Sequence, residues 1–419
     1  MFNTKAFSGR RSSARVLIQL TFARIAALGL AGTLAACGGG GGGGGNSGGR
    51  SGGGGDTPLS YTGKTTPAVI TTTNATQLTA NIVGGVNPTG AVSSVAPGSE
   101  GGGATQLERQ LTRAIRARPS ILGLASRRLT AEPFDQTKSC DGGVGTVRVF
   151  GDVSASGPGT ENFVWTNCLT GDTTLNGSAS LTVRVFDQVF GILDGTFNFV
   201  RVSLTSPAAS GTVSGEMLLQ VDPAANKVST TSKLITLDAG GRMTMADPDP
   251  SRSLVVEDVF ANLSDPTSSY VETITGRLFD SVEGFVDIAT TTPLAFGSPT
   301  QLFASSGEII LTGAAVTGAG NRRVRVVAVS ATVVKLDLDL DGDGTFEGTA
   351  FLKWTQLTAP TGADLADTDH DGMHDSWERA NGFDPNVPQD PSLDTDMDGA
   401  TDLAEYRAGT NPRDPMSVP

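Results

Sequence analysis

Ser180-Leu-Thr-Val-Arg-Val-Phe186 and Thr196-Phe-Asn-Phe-Val-Arg-Val202 decide the fold. In the first, Leu181, Val183 and Val185 alternate with Thr182 and Arg184; in the second, Phe197 and Phe199 flank Asn198, and Val200 and Val202 flank Arg201. Side chains two apart share one face of an extended chain, so this period predicts strands with one apolar face. Residues 146–150, 215–221, 253–258, 270–278, 284–289, 307–311 and 322–329 read the same way, through alternation or β-branched enrichment. Turn clusters such as Ser156-Gly-Pro-Gly159 and Asp247-Pro-Asp-Pro250 separate them. Strand follows strand with no helical pattern between, which predicts a mainly β chain. Its body is a large antiparallel β domain over residues 132–358, either sandwich or barrel.

Downstream of this body the period vanishes and an acidic pattern is written twice. Asp367, Asp369, Asp371, Gly372, Asp375 and Glu378 recur 27 residues on as Asp394, Asp396, Asp398, Gly399, Asp402 and Glu405. The register continues, with Gly382, Asp384 and Pro385 matched by Gly409, Asn411 and Pro412. A hard cation such as Ca²⁺ takes roughly six to eight oxygens, and a loop supplies them from positions 1, 3, 5, 7, 9 and 12. Counting from Asp367 gives Asp369, Asp371, the Met373 carbonyl, Asp375 and Glu378; counting from Asp394 gives Asp396, Asp398, the Ala400 carbonyl, Asp402 and Glu405. Gly372 and Gly399 fall at position 6, where the loop turns sharply. A merely solvated acidic tail would explain neither these glycines nor the position-12 glutamates.

The runs DTDHDGMHDSWERANGFDPN and DTDMDGATDLAEYRAGTNPRDP, which begin at Asp367 and Asp394, resemble the calcium-binding thrombospondin type 3 repeats of bacterial surface proteins, relatives in ligand pattern of EF-hand and dockerin loops. The resemblance covers about the last fifty residues. It departs from an EF-hand on the entering side, where Ala359-Pro-Thr-Gly362 and Pro388-Gln-Asp-Pro391 cannot be helical. One short exiting helix per copy is expected, ending near Gly382 and Gly409. The resemblance therefore implies tandem calcium loops over 359–419 that clamp structure rather than open a helix pair.

The beginning of the chain carries Lys5, Arg10, Arg11, Arg15 and Arg24, then an apolar run over 25–36 too short to span a bilayer permanently. It ends in Leu34-Ala35-Ala36-Cys37, which resembles the lipobox of bacterial lipoproteins; the alternative is an ordinary signal peptide with an incidental cysteine. The resemblance implies that residues 1–36 are a signal peptide and that Cys37 is lipidated, anchoring the protein in the cell envelope. By the same resemblance, Gly38 rather than Asp after the cysteine implies the outer membrane of a Gram-negative bacterium. Residues 37–60 are dominated by glycine and form a tether. With Cys37 assigned to lipid, Cys140 and Cys168 remain as one structural disulfide, or as two buried thiols.

Residues 61–131 read as a linker with short helices. Asn74 would cap one, answered by Gln77 and stopped by Gly84. Leu107, Leu111 and Ile115 mark another, ringed by Arg109, Arg113, Arg116 and Arg118, that packs on the β body or lies on anionic lipid. At the far end of the β body, Val334, Leu336, Leu338 and Leu340 face one way and Lys335, Asp337 and Asp339 the other. Asp339, Asp341, Asp343 and Glu347 then form a candidate third metal site lacking an acid at position 12; the competing reading is a tight Asp-Gly turn.

The chain has 2 histidines, His370 and His374, both in the first acidic loop, so the β body has none for nucleophilic or metal chemistry. Aromatics at 6% leave little to stack sugars in a two-carboxylate hydrolase, and a net charge of −13 opposes nucleic acid. The expectation is no enzyme. It is a calcium-binding envelope protein, or an adhesion or assembly protein whose β domain meets an envelope protein or polysaccharide.

Overall fold

The computed structural model describes residues 57–83, 134–140, 143–152, 159–170, 173–187, 191–205, 210–265, 267–299, 301, 303–357 and 363–419. The expected signal peptide over 1–36, Cys37, the expected tether up to residue 56 and the expected helix over 107–118 lie outside the described residues.

Fifteen strands form one continuous antiparallel sheet. They are β1 (Phe134–Ser139), β2 (Thr146–Gly151), β3 (Gly159–Thr170), β4 (Thr173–Asp187), β5 (Gly191–Thr205), β6 (Ser210–Asp222), β7 (Lys227–Asp238) and β8 (Met243–Ala246). They continue as β9 (Leu254–Phe260), β10 (Tyr270–Asp280), β11 (Gly284–Phe296), β12 (Ser306–Ala315), β13 (Asn321–Ala328), β14 (Val333–Asp339) and β15 (Gly348–Lys353). Four short helices are described: α1 (Ala75–Val83), α2 (Trp354–Leu357), α3 (Asp375–Asn381) and α4 (Asp402–Ala408).

Nearly every strand pairs with its neighbours in sequence, so short turns carry the meander. The exception lies at the middle, where β8 and β9 share one lane between β7 and β10. Ile235 faces Met245 and Thr231 faces Val255 on one side; Leu278 faces Ala246 and Thr275 faces Val255 on the other. Asp247-Pro-Asp-Pro250 leaves the sheet between them. Asp247 is buried and anchors the excursion, taking the Arg252 Nε at 2.9 Å and the Asp249 N–H at 2.9 Å.

Alternation puts Val147, Val149, Phe163, Trp165, Leu181, Val183, Phe197 and Phe199 on one buried face of β2–β5. It does not run through. Val185, expected beside Leu181 and Val183, is exposed because the β4–β5 register shifts after Val183. Likewise Val202 follows Phe199 into the core across a bulge in which Arg201 takes φ 46°. Gly177 lies against that bulge, where a Cβ would meet the Arg201 carbonyl at 2.4 Å. Cys140 and Cys168 are disulfide-bonded, with Cα atoms 5.4 Å apart, joining the start of the sheet to β3.

A second apolar cluster lies under β10–β15 and takes in the N-terminal segment. Of the segments read as tether and linker, the described residues 59–83 are built against the sheet's face. Leu59 N–H reaches the Ser214 Oγ, Ala68 N–H donates to the Phe285 carbonyl at 2.8 Å, and Ala314 N–H donates to the Ala68 carbonyl at 2.7 Å. Gly284 and Gly313 permit this approach: a Cβ there would stand 2.3 Å from the Thr66 carbonyl and 2.4 Å from the Ala68 carbonyl. Helix α1 then buries Ala75, Leu78 and Ile82 in the same cluster. Its start differs from the expected box. Thr71 Oγ1 accepts from Asn74 N–H, while the Asn74 side chain turns back to Thr71 N–H and Glu283, and Gln77 bonds Asn81. Contacts with the β10–β11 turn outweigh the local box at this helix start.

Candidate metal centre in the C-terminal tail

Each acidic loop is organised by its own carboxylates, and the same bonds occur in both copies. Asp367 accepts from the N–H groups of His370 (2.8 Å) and Gly372 (3.1 Å), as Asp394 does from Met397 (2.7 Å) and Gly399 (2.9 Å). Asp371 accepts from Met373 N–H and Asp398 from Ala400 N–H. These bonds wind the backbone so tightly that His370 and Met397 both take φ 64°, with Gly372 at 93° and Gly399 at 101°. One ligand oxygen from each of Asp367, Asp369 and Asp371 lies within 4.8 Å of the others, and so for Asp394, Asp396 and Asp398. These clusters could hold a metal ion.

The exiting helices fix the last acid of each loop. α3 is capped by His374, whose Nδ1 accepts from Trp377 N–H at 3.1 Å, and α4 by Thr401, whose Oγ1 accepts from Ala404 N–H at 3.3 Å. Each helix ends in a left-handed glycine, Gly382 and Gly409, as the sequence indicates. One turn into these helices, Glu378 and Glu405 are fully buried, and none of their four carboxylate oxygens has a hydrogen bond of ordinary geometry. Burial, reinforced by Asp371 and Asp369, pushes Glu378 up to about 7. Burial does the same to Glu405, to about 7, with Asp396, Asp398 and Asp402 adding to it and the neighbouring Thr410 hydroxyl opposing. Asp369 and Asp396 each keep one buried oxygen without a partner and are likewise raised by burial. An unpaired buried carboxylate is costly, and a cation is the partner that would satisfy several at once.

The position-9 acids behave differently. Asp375 accepts both the N–H (2.8 Å) and the Oγ1 (2.7 Å) of Thr368 and an Arg379 bond; Asp402 accepts the N–H (3.0 Å) and Oγ1 (2.7 Å) of Thr395. Against the upward push of burial, the Thr368 bonds and Arg379 hold Asp375 below the usual carboxylate range. These two acids brace the loop across its second residue. The sequence carried the signal, since threonine stands at position 2 of both copies.

At the turn after β14, Asp339, Asp341, Asp343 and Glu347 also come within 4.8 Å. Asp339 is already engaged: its Oδ2 takes the Arg323 Nε at 3.0 Å and its Oδ1 the Gly342 N–H at 2.8 Å. Asp343 and Glu347 share the Thr345 hydroxyl. Asp337 pairs with Arg325 and Lys335, so the polar face of β14 carries ion pairs whose carboxylates are buried and whose cations reach toward the surface.

The two repeats pack as one body on the last strand. Met373, Trp377 and Tyr406 form a small core with Phe351 of β15, and Trp377 and Tyr406 meet edge to face at 5.0 Å. Burial keeps His374, in edge contact with Tyr406, down to about 4 and therefore neutral. Asp371 accepts Gln389 N–H, and Arg413 returns to the Asn381 carbonyl and over the Phe383 ring. Among the described residues no helix is long and apolar enough to cross a membrane. Compared with known proteins, the chain matches no family model, no curated protein and no solved structure.

Proposed function

We propose that this chain is a calcium-binding protein of the cell envelope whose tail holds two Ca²⁺ ions, one per acidic loop, in a structural role. The observation that carries it is the pair Glu378 and Glu405: fully buried, unpaired, and each close enough to its Asp triad to be raised by it. Oxygen-only donors in a flexible loop suit Ca²⁺ better than Mg²⁺, which demands a tighter octahedron, and better than metals that favour nitrogen or sulfur. Asp367, Asp369, Asp371 and Glu378 would hold one ion, and Asp394, Asp396, Asp398 and Glu405 the other, with the Met373 and Ala400 carbonyls at position 7. The ion neutralises acids that otherwise repel one another. Export and lipid anchoring at Cys37 rest on the lipobox resemblance and the glycine tether, which would lift the β body from the membrane.

Calorimetric titration of the full chain with Ca²⁺, beside a Glu378→Gln/Glu405→Gln variant, tests the reading. Two equivalents are expected in the wild type and neither at comparable affinity in the variant. Absence of heat and of any calcium-dependent melting shift in the wild type would overturn it.

A further inference from the structure

Strand β15 ends the sheet, so one of its edges has no strand beside it among the described residues. Such an edge offers a row of N–H and C=O groups to any passing chain. Here its donors are stopped individually. Phe351 N–H donates to the Tyr406 hydroxyl at 2.9 Å, and Lys353 N–H donates to the Gln356 Oε1 at 2.6 Å. Tyr406 comes from α4, in the second acidic repeat, and is itself 1% exposed. Gly409, at the end of the same helix, sits so close to Val333 that a Cβ would lie 3.0 Å from its Cγ2. The tail thus lies along the β14–β15 edge, and the residue that blocks it sits next to Glu405, the buried acid of the second loop.

We propose that the outer edge of β15 is a pairing surface for the same edge of a second copy of this chain, covered by the tail while its loops hold cations and released when they are emptied. This rests on the two-cation reading above. The occupant follows from the strand's own sequence. Antiparallel pairing about Phe351 sets Phe351 against its counterpart, Thr349 against the second copy's Lys353, and Ala350 against the second copy's Leu352. Aromatic faces aromatic, no like charges meet, and Ala350 and Leu352, which line the core, continue one core into the other. Backbone bonds carry the pairing, as they do wherever a strand is added to an open edge. Removing the ions leaves the eight carboxylates that would hold them, four per loop, without their shared partner, which unwinds the loops, withdraws Tyr406 and bares Phe351.

The test uses the full chain carrying Cys37→Ser, so that no lipid holds copies together. Light scattering measures its mass in Ca²⁺ and in EDTA, and amide exchange is followed at Phe351. The expected result is a monomer with a protected Phe351 amide in Ca²⁺, and twice that mass in EDTA. Glu378→Gln/Glu405→Gln should be dimeric in both. Phe351→Pro removes an outward donor together with the ring that packs on Tyr406, and should stay monomeric in EDTA. A wild type that binds Ca²⁺ by calorimetry, yet stays monomeric in EDTA with Phe351 protected, overturns the edge proposal alone. Association in EDTA that Phe351→Pro does not prevent also overturns it. A chain that binds no Ca²⁺ overturns the tail reading, and this proposal loses its trigger with it.

Discussion

The Arg323 guanidinium holds Asp339 through two nitrogens, Nε at 3.0 Å and Nη2 at 2.5 Å from the same carboxylate oxygen. Its charge already pairs with the first acid of the turn after β14, whereas Asp367 and Asp394 accept backbone N–H groups. Titration should therefore stop at two equivalents of Ca²⁺. A third equivalent that disappears with Asp341→Asn/Asp343→Asn would show that Arg323 yields to the metal.

Tyr406→Phe keeps the ring packed on Trp377 and His374 and removes only the hydroxyl that caps Phe351. Loss of one such bond costs about 1 kcal/mol. In saturating Ca²⁺ the Phe351 amide should exchange faster, while the metal stoichiometry stays unchanged. Unaltered exchange would mean that the ring, not the hydroxyl, shields the edge.

The Cys140–Cys168 bond closes a loop with a sequence separation of 28. Its removal through a paired Cys→Ser change should cost about 3–4 kcal/mol, by the entropy of a loop of that length. Chemical denaturation measures this, and the loss should fall on the β1–β7 half, where both cysteines are core residues.

Glu161 shares the buried face of β3 with Phe163 and Trp165, and neither of its oxygens has a partner. Burial pushes it up to about 7. The folded chain therefore keeps this proton up to about pH 7, whereas the unfolded chain releases it near the ordinary glutamate value of about 4.5. Stability should fall as pH rises through that window, by up to about 3 kcal/mol, and stay level above it. Glu161→Leu should flatten this dependence and raise the melting temperature at pH 8; a variant less stable than the wild type at pH 8 would contradict it.

Gly284→Ala should destabilise the β10–β15 half by more than about 2 kcal/mol. The new Cβ would collide with the Thr66 carbonyl, and φ 105° admits almost only glycine. Thermal unfolding with Trp354 fluorescence as probe checks this, since Trp354 belongs to that cluster.

What the sequence made legible was what short spacing governs. Period-two runs located β2, β4–β6 and β9–β13, and ligand spacing located both tail loops with their glycine-capped helices. The strand β7, Lys-Val-Ser-Thr-Thr-Ser-Lys-Leu-Ile-Thr-Leu-Asp, has no clear apolar period because serine and threonine occupy most of its first half, and its neighbours β6, β8 and β9 define it. The bulge at Arg201 was equally hidden. Its left-handed φ is supported from across the sheet, where the Ser214 Oγ accepts Arg201 N–H. The Tyr406–Phe351 bond and the seating of residues 59–70 join segments far apart in the chain, and no local pattern announces either.

That seating has a consequence for the order in which the protein can be made. Leu59 waits for Ser214, 155 residues later; Asn74 waits 209 residues for Glu283, Ile70 waits 252 for Arg322, and Thr76 waits 287 for Ala363. During synthesis or export from the N-terminus, the β1–β7 half can close hairpin by hairpin as it emerges. The first described segment cannot: its contacts are not complete before Ala363 has appeared. Completion of the β10–β15 half thus joins residues 70–76 to residues as late as Ala363, so removing either segment should leave that half unfinished.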